Sequence, residues 1–131
     1  MSSHPILIVD DNATNLKLAR VILTGDGHVV KTADDAEEAL ILLESFSPAL
    51  ILMDLQLPGM DGLTLVRRLR EDARWATTWI VALTAYAMKG DEQKALAAGC
   101  DGYITKPIDP DTFSAMVKSF VARQRPATES R

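Results

Sequence analysis

A chain of 131 residues fits one domain of ordinary size and leaves little room for a second. Its 47% hydrophobic content supplies a buried core, and a net charge of −4 argues against a nucleic-acid binder, which carries a basic face to neutralise phosphates. A lone cysteine, Cys100, excludes an intrachain disulfide and suits a reducing compartment, and no run approaches the ~20 apolar residues of a membrane span, so the chain is expected in the cytoplasm and off the membrane.

The first apolar run, Ile6-Leu-Ile-Val9, is a strand that Asp10 and Asp11 interrupt too early for a signal peptide. Residues 13–24 follow as a helix, with Leu16, Ala19, Ile22 and Leu23 on one side and Gly25 or Gly27 to end it. His28-Val-Val-Lys-Thr32 is more polar and reads as an edge strand. Residues 35–45 place Ala36, Ala39, Leu40 and Leu43 at three-and-four spacing behind an N-cap at Asp34 or Asp35. Leu50-Ile-Leu-Met53 is apolar without alternation, as a central strand covered on both faces must be. A Pro58-Gly59 turn then leads to Asp61, the cap of a helix through Leu63, Val66 and Leu69-Arg70. Trp79-Ile-Val-Ala-Leu83 is a second unbroken apolar strand, and residues 87–98 an alanine-rich helix stopped by Gly99. Gly102-Tyr-Ile-Thr105 is the fifth strand, and Asp109-Pro110 opens a last helix to about Val121. The polar tail from Arg123 contains Pro126 and is expected to fray, which leaves one domain over residues 1–122.

The strands start at intervals of about 22 to 29 residues, the spacing of a parallel crossover and not of a hairpin. Five alternating units with right-handed crossovers predict an α/β fold: a doubly wound, five-stranded parallel sheet with helices on both faces. In the flavodoxin-like order 2-1-3-4-5, ligands bind beyond the carboxyl ends of strands one and three, where the order reverses. Asp10 and Asp11 follow the first strand, Asp54 the third, Thr84 the fourth and Lys106 the fifth. Three carboxylates therefore converge on one crevice, where they repel one another until a hard divalent cation joins them. Mg²⁺ takes oxygen ligands and commonly links carboxylates to a phosphate, with Mn²⁺ an alternative. Asp54 is then a carboxylate nucleophile towards a phosphoryl donor, with Lys106 as a point charge and Thr84 as a hydroxyl donor.

With those residues in place, the chain resembles the response-regulator receiver family over about residues 4–122. The resemblance is to single-domain, chemotaxis-type regulators and to the receivers of hybrid histidine kinases. It is carried by Ile-Leu-Ile-Val-Asp-Asp at 6–11, Met-Asp-Leu-Gln-Leu-Pro-Gly-Met-Asp-Gly at 53–62, Leu-Thr-Ala at 83–85 and Tyr-Ile-Thr-Lys-Pro at 103–107. The resemblance implies that Asp54 accepts the phosphoryl group from a phosphohistidine on a histidine kinase or phosphotransfer protein. It implies that Asp11 ligates Mg²⁺ directly and Asp10 largely through water, with the Gln56 backbone carbonyl as a further ligand. Thr84 would move to the phosphoryl group, Lys106 would pair with it, and the Lys106–Pro107 bond would be cis. Tyr103 falls at the switch aromatic, whose rotation would alter the face made by the fourth helix, fifth strand and fifth helix for a downstream protein. Gln56 and Tyr86 fall where the family tunes acyl-phosphate lifetime, and the bulk of Tyr86 predicts slow self-dephosphorylation. Such a domain promotes its own phosphorylation and dephosphorylation, so whether it counts as an enzyme is a matter of definition.

Three rival functions are weaker. A flavin carrier needs a Ser/Thr/Gly-rich anion loop where Asp10-Asp11-Asn12 stands. A DNA-binding output module does not fit in the two dozen residues after Pro107, although a fragment of a hybrid kinase or longer regulator, or a phosphate sink, remains an alternative. A receiver that is never phosphorylated does not need all five site residues. Asn15 reads as a solvated helix-turn residue and Cys100 as packing between the fourth helix and fifth strand. Trp75 and Trp79 are expected to shield the start of the fourth strand, and His4 and His28 are assigned no role.

Overall fold

Pro5–Val9 (β1), Val29–Ala33 (β2), Leu50–Asp54 (β3), Trp79–Thr84 (β4) and Gly102–Thr105 (β5) pair as parallel strands in the order β2-β1-β3-β4-β5. The computed structural model describes residues 5–55, 57, 62–76, 78–84, 90–105 and 109–122. Between the strands run Ala13–Gly25 (α1), Ala36–Leu42 (α2), Gly62–Arg70 (α3) and Asp91–Ala98 (α4), and Pro110–Ala122 (α5) closes the fold. The order is the flavodoxin-like one expected for a doubly wound fold, and every pairing is parallel as the strand spacing predicts. Every residue of β3 is buried, whereas β2 alternates exposed and covered positions as an edge strand does.

Strand alternation sorts the core into two halves. Leu7, Val9, Ile51, Met53, Ile80 and Ala82 point to the face covered by α2, α3 and α4, where Ala39, Leu65, Val66 and Ala95 meet them. Ile6, Ile8, Leu50, Leu52, Val81 and Leu83 point to the face covered by α1 and α5, against Ala19, Leu23, Phe113 and Val117.

The helix ends differ from expectation in detail. Of the two aspartates before α2, Asp35 is the cap: its carboxylate accepts from Glu38 N–H at 2.8 Å while the Glu38 carboxylate accepts from Asp34 N–H at 2.8 Å. That helix ends at Leu42, and residues 43–45 continue only as turn. The fourth helix begins at Asp91 because Gly90 has φ +94°, which is not a helical conformation; residues 87–89 lie outside the described residues. Asp109 caps α5, accepting from Thr112 Oγ1 at 2.6 Å. The expected cap Asp61 and the tail from Arg123 also lie outside the described residues. No helix among the described residues is long and apolar enough to cross a membrane.

At the end of the sheet where β4 and β5 begin, Arg70 ties three segments together. Its guanidinium donates to the carbonyls of Gly99 (2.9 Å), Trp75 (2.9 Å) and Thr78 (2.7 Å) and pairs with Asp101 at 2.8 Å. The same Asp101 oxygen accepts from Ile80 N–H at 2.9 Å. Trp75 is buried in the core below this knot, deeper than a mere shield. Trp79 is half-buried, with its ring 5.9 Å from that of Phe120.

Candidate functional site

The carboxyl ends of β1 and β3 carry the acidic residues, and the sheet fixes both. Val9 pairs with Met53 on one side and Ala33 on the other, so the chain leaves β1 between two neighbours. Asp10 N–H extends the ladder by donating to the Ala33 carbonyl at 3.0 Å. Its side chain turns back to accept from Asn12 N–H at 2.9 Å, and the Asn12 side chain in turn caps α1 by accepting from Asn15 N–H at 3.0 Å. The acidic loop is thus the lead-in to a helix, and the cap directs the chain away from the sheet. Asp54 is the last residue of β3 and pairs in register with Leu83, and Leu55 N–H donates to the Leu83 carbonyl at 3.2 Å.

One oxygen from each of Asp10, Asp11 and Asp54 lies within 4.8 Å of the others. Asp10 and Asp54 are only 1% and 4% exposed, whereas Asp11 is open to solvent. Two carboxylates withdrawn from water beside a third have every reason to recruit positive charge. The donor set is all oxygen, with no imidazole or thiolate, and its open side leaves room for water ligands. That chemistry fits a hard divalent cation such as Mg²⁺ and not a structural zinc.

Thr84 ends β4 on the strand beside Asp54 and is 3% exposed, in register with Thr105 on β5. Tyr103 is partly buried and packs against the core half shared with α3 and α4. The structure therefore brings together the three aspartates and sets Thr84 on the neighbouring strand end. Gln56, Tyr86, Lys106 and Pro107 lie outside the described residues. The only thiol takes no part: Cys100 is buried in the core, and burial pushes its pKa up to about 11. Sequence reasoning overlooked Gly62, which sits at the start of α3 directly against the backbone of Asp54. Its signal was the glycine that closes the stretch at 53–62.

Comparison with known proteins agrees with this geometry. A family model described as the response regulator receiver domain matches residues 6–118. The chain is similar to the polar-differentiation response regulator DivK of Brucella ovis, 39% identical over 116 residues, which covers 88% of this chain and 94% of the relative. Among solved structures it resembles the chemotaxis response regulator CheY4 of Vibrio cholerae, with a TM-score of 0.86 at 27% identity, over 91% of this chain and 99% of that one. It also resembles the receiver domain of the sensor histidine kinase PA1611 from Pseudomonas aeruginosa, whose active-site cleft holds a coordinated magnesium ion. That match has a TM-score of 0.84 at 30% identity and covers 93% of this chain and 100% of the other. With a family match spanning nearly the whole sheet and its helices, the chain belongs to the response regulator receiver domain family.

Proposed function

We propose that Asp54 accepts a phosphoryl group from a phosphohistidine of a histidine kinase or histidine phosphotransfer protein, and that the domain, over residues 1–122, then signals by protein contacts. The observation that carries this is the convergence of Asp10, Asp11 and Asp54 within 4.8 Å at the end of a buried parallel sheet. A carboxylate oxygen of Asp54 forms the new P–O bond as the donor's P–N bond breaks, and the donor imidazole leaves with a proton from solvent. The buried position of Asp54 excludes bulk water from one side of the acyl phosphate, while the open side at Asp11 admits the donor.

Mg²⁺, or Mn²⁺ in its place, held by Asp10, Asp11, Asp54 and the Gln56 carbonyl, would neutralise charge on the incoming phosphoryl oxygens. Asp10 is held by its neighbours Ala33 and Asn12, so its carboxylate is oriented before any ligand arrives. Thr84 offers a hydroxyl from the adjacent strand end, and Lys106 a mobile charge at the phosphoryl oxygens. Tyr103 packs on the same core half as Ala82, next to Thr84, so withdrawal of the Thr84 hydroxyl towards phosphate is transmitted to the ring and to the α4–β5–α5 surface. Gln56 and Tyr86 set how long the acyl phosphate lasts, and the size of Tyr86 favours minutes over seconds.

The test is incorporation of phosphate from acetyl phosphate with Mg²⁺ present. Wild type takes up one phosphoryl group per chain that is labile to hydroxylamine, and Asp54→Asn takes up none. Equal incorporation by the two proteins rules the assignment out.

A further inference from the structure

Gly62 is the first residue of α3, is buried, and adopts no positive φ, so nothing in its backbone conformation calls for glycine. Alanine is the better helix former at such a position. What excludes it is space. A Cβ built on Gly62 collides with the Asp54 carbonyl oxygen and lies 2.7 Å from the Leu55 Cα and 3.1 Å from the Asp54 carbonyl carbon. All three atoms are backbone, so no side chain can swing aside to make room. Gly62 N–H also donates to the Leu55 carbonyl at 3.2 Å, which fastens the helix start to the next peptide along.

We propose that Gly62 is a positioning residue: its bare Cα lets α3 seat on the Asp54–Leu55 peptide and so holds the acceptor carboxylate in line with Asp10 and Asp11. This rests on Asp54 being the acceptor, as argued above. An added methyl has few places to go. The helix cannot back away, because Leu65 and Val66 are fully buried against the sheet. The strand cannot shift, because β3 is paired on both sides by β1 and β4. The group left to yield is the Asp54–Leu55 peptide, at the cost of its 3.2 Å hydrogen bond from Leu55 N–H to the Leu83 carbonyl, and turning it swings the Asp54 carboxylate off its place among the three aspartates.

The experiment compares wild type, Gly62→Ala and Gly99→Ala. Gly99 serves as a control at the far end of the sheet: its φ is +120° and an added Cβ lies 2.6 Å from the Arg70 Cγ, so alanine there strains the fold without touching the site. Mg²⁺ affinity and the rate of labelling by acetyl phosphate at saturating Mg²⁺ are both scaled to the folded fraction. Gly62→Ala is expected to bind Mg²⁺ about ten-fold or more weakly and to be labelled on the order of 100-fold more slowly. Gly99→Ala loses thermal stability but keeps both values. Hydrogen exchange on the wild type decides the matter should Gly62→Ala not fold: Mg²⁺ slows exchange of the Gly62 amide, and an amide indifferent to Mg²⁺ overturns the proposal. A Gly62→Ala protein that matches wild type per folded molecule also overturns it, with the acceptor assignment intact. A wild type that takes up no phosphate overturns both.

Discussion

Arg70 and Arg74 stand four residues apart and show how little an ion pair's presence says about its worth. Arg74 pairs with Asp72 at 2.9 Å, an arrangement that lowers the Asp72 pKa and raises that of Arg74, but the two side chains are 64% and 36% exposed. Water and salt screen such a pair, and Arg74→Ala is expected to leave stability unchanged. Arg70 and Asp101 are 17% and 18% exposed, and the guanidinium also serves backbone carbonyls on two loops. Removing it strands those acceptors and takes the paired cation from the Asp101 carboxylate, a cost of about 2–4 kcal/mol. Urea unfolding of Arg70→Ala is the check: the midpoint falls with an unchanged slope, and Arg70→Lys recovers only part, because an ammonium lacks the planar fork. Cys100 makes a pH prediction at the same scale. Burial raises its pKa from the ordinary 9.0 to about 11, so the folded state holds the thiol proton more tightly than the unfolded chain does. The stability this confers is complete below pH 9 and is lost as pH rises from about 9 to about 11. Cys100→Ala abolishes that share of the alkaline decline, and an identical pH profile for the two proteins counts against it.

The elements themselves are unequal. Helix α2 is seven residues long and buries only Ala36 and Ala39, so its stability leans on the reciprocal caps of Asp35 and Glu38. Asp35→Ala is expected to lower the opening free energy of the α2 amides by about 1 kcal/mol in native-state hydrogen exchange. Amides of β3, buried throughout and paired on both sides, serve as the reference for global opening. This inequality marks how far the chain could be read from its residues. Strands announced themselves because β1, β3 and β4 must be apolar on both faces, and β2 declared itself an edge by its polarity. The aspartates were legible because three of them follow two strands that lie side by side where the strand order reverses, a convergence that a lone helix cap does not produce. Arg70 was not, since its acceptors are backbone carbonyls that any sequence provides. Gly62 was also hidden, because a helical glycine with ordinary φ looks like a weak helix former until the peptide pressed against it is seen. The start of α4 was placed too early because alanine-rich spacing extends through Gly90 without registering its left-handed backbone.

Across the molecule the sheet separates two ends with different tasks. Arg70 knots the loops where β4 and β5 begin, and the aspartates cluster where β1 and β3 finish. Groups at opposite ends of the sheet are expected to contribute independently, so Arg70→Ala shifts stability without changing Mg²⁺ affinity. Under the proposed function the acidic end makes the opposite contribution in the absence of metal: Asp10 and Asp54, both buried, are held beside Asp11, and unfolding lets the three separate in water. Mg²⁺ held at the proposed site would reverse this by binding the folded state alone. At 100 times its dissociation constant it adds about 2.7 kcal/mol, which for a domain of this length raises the melting temperature on the order of 10 °C. Asp54→Asn has the contrary signature. With EDTA it melts above wild type, because one repelling charge is gone; with Mg²⁺ it gains less, because one ligand is gone. Calorimetric melts of both proteins in EDTA and in Mg²⁺ therefore cross, wild type being the less stable without metal and the more stable with it. A wild-type melting temperature that ignores saturating Mg²⁺ removes the metal from the account.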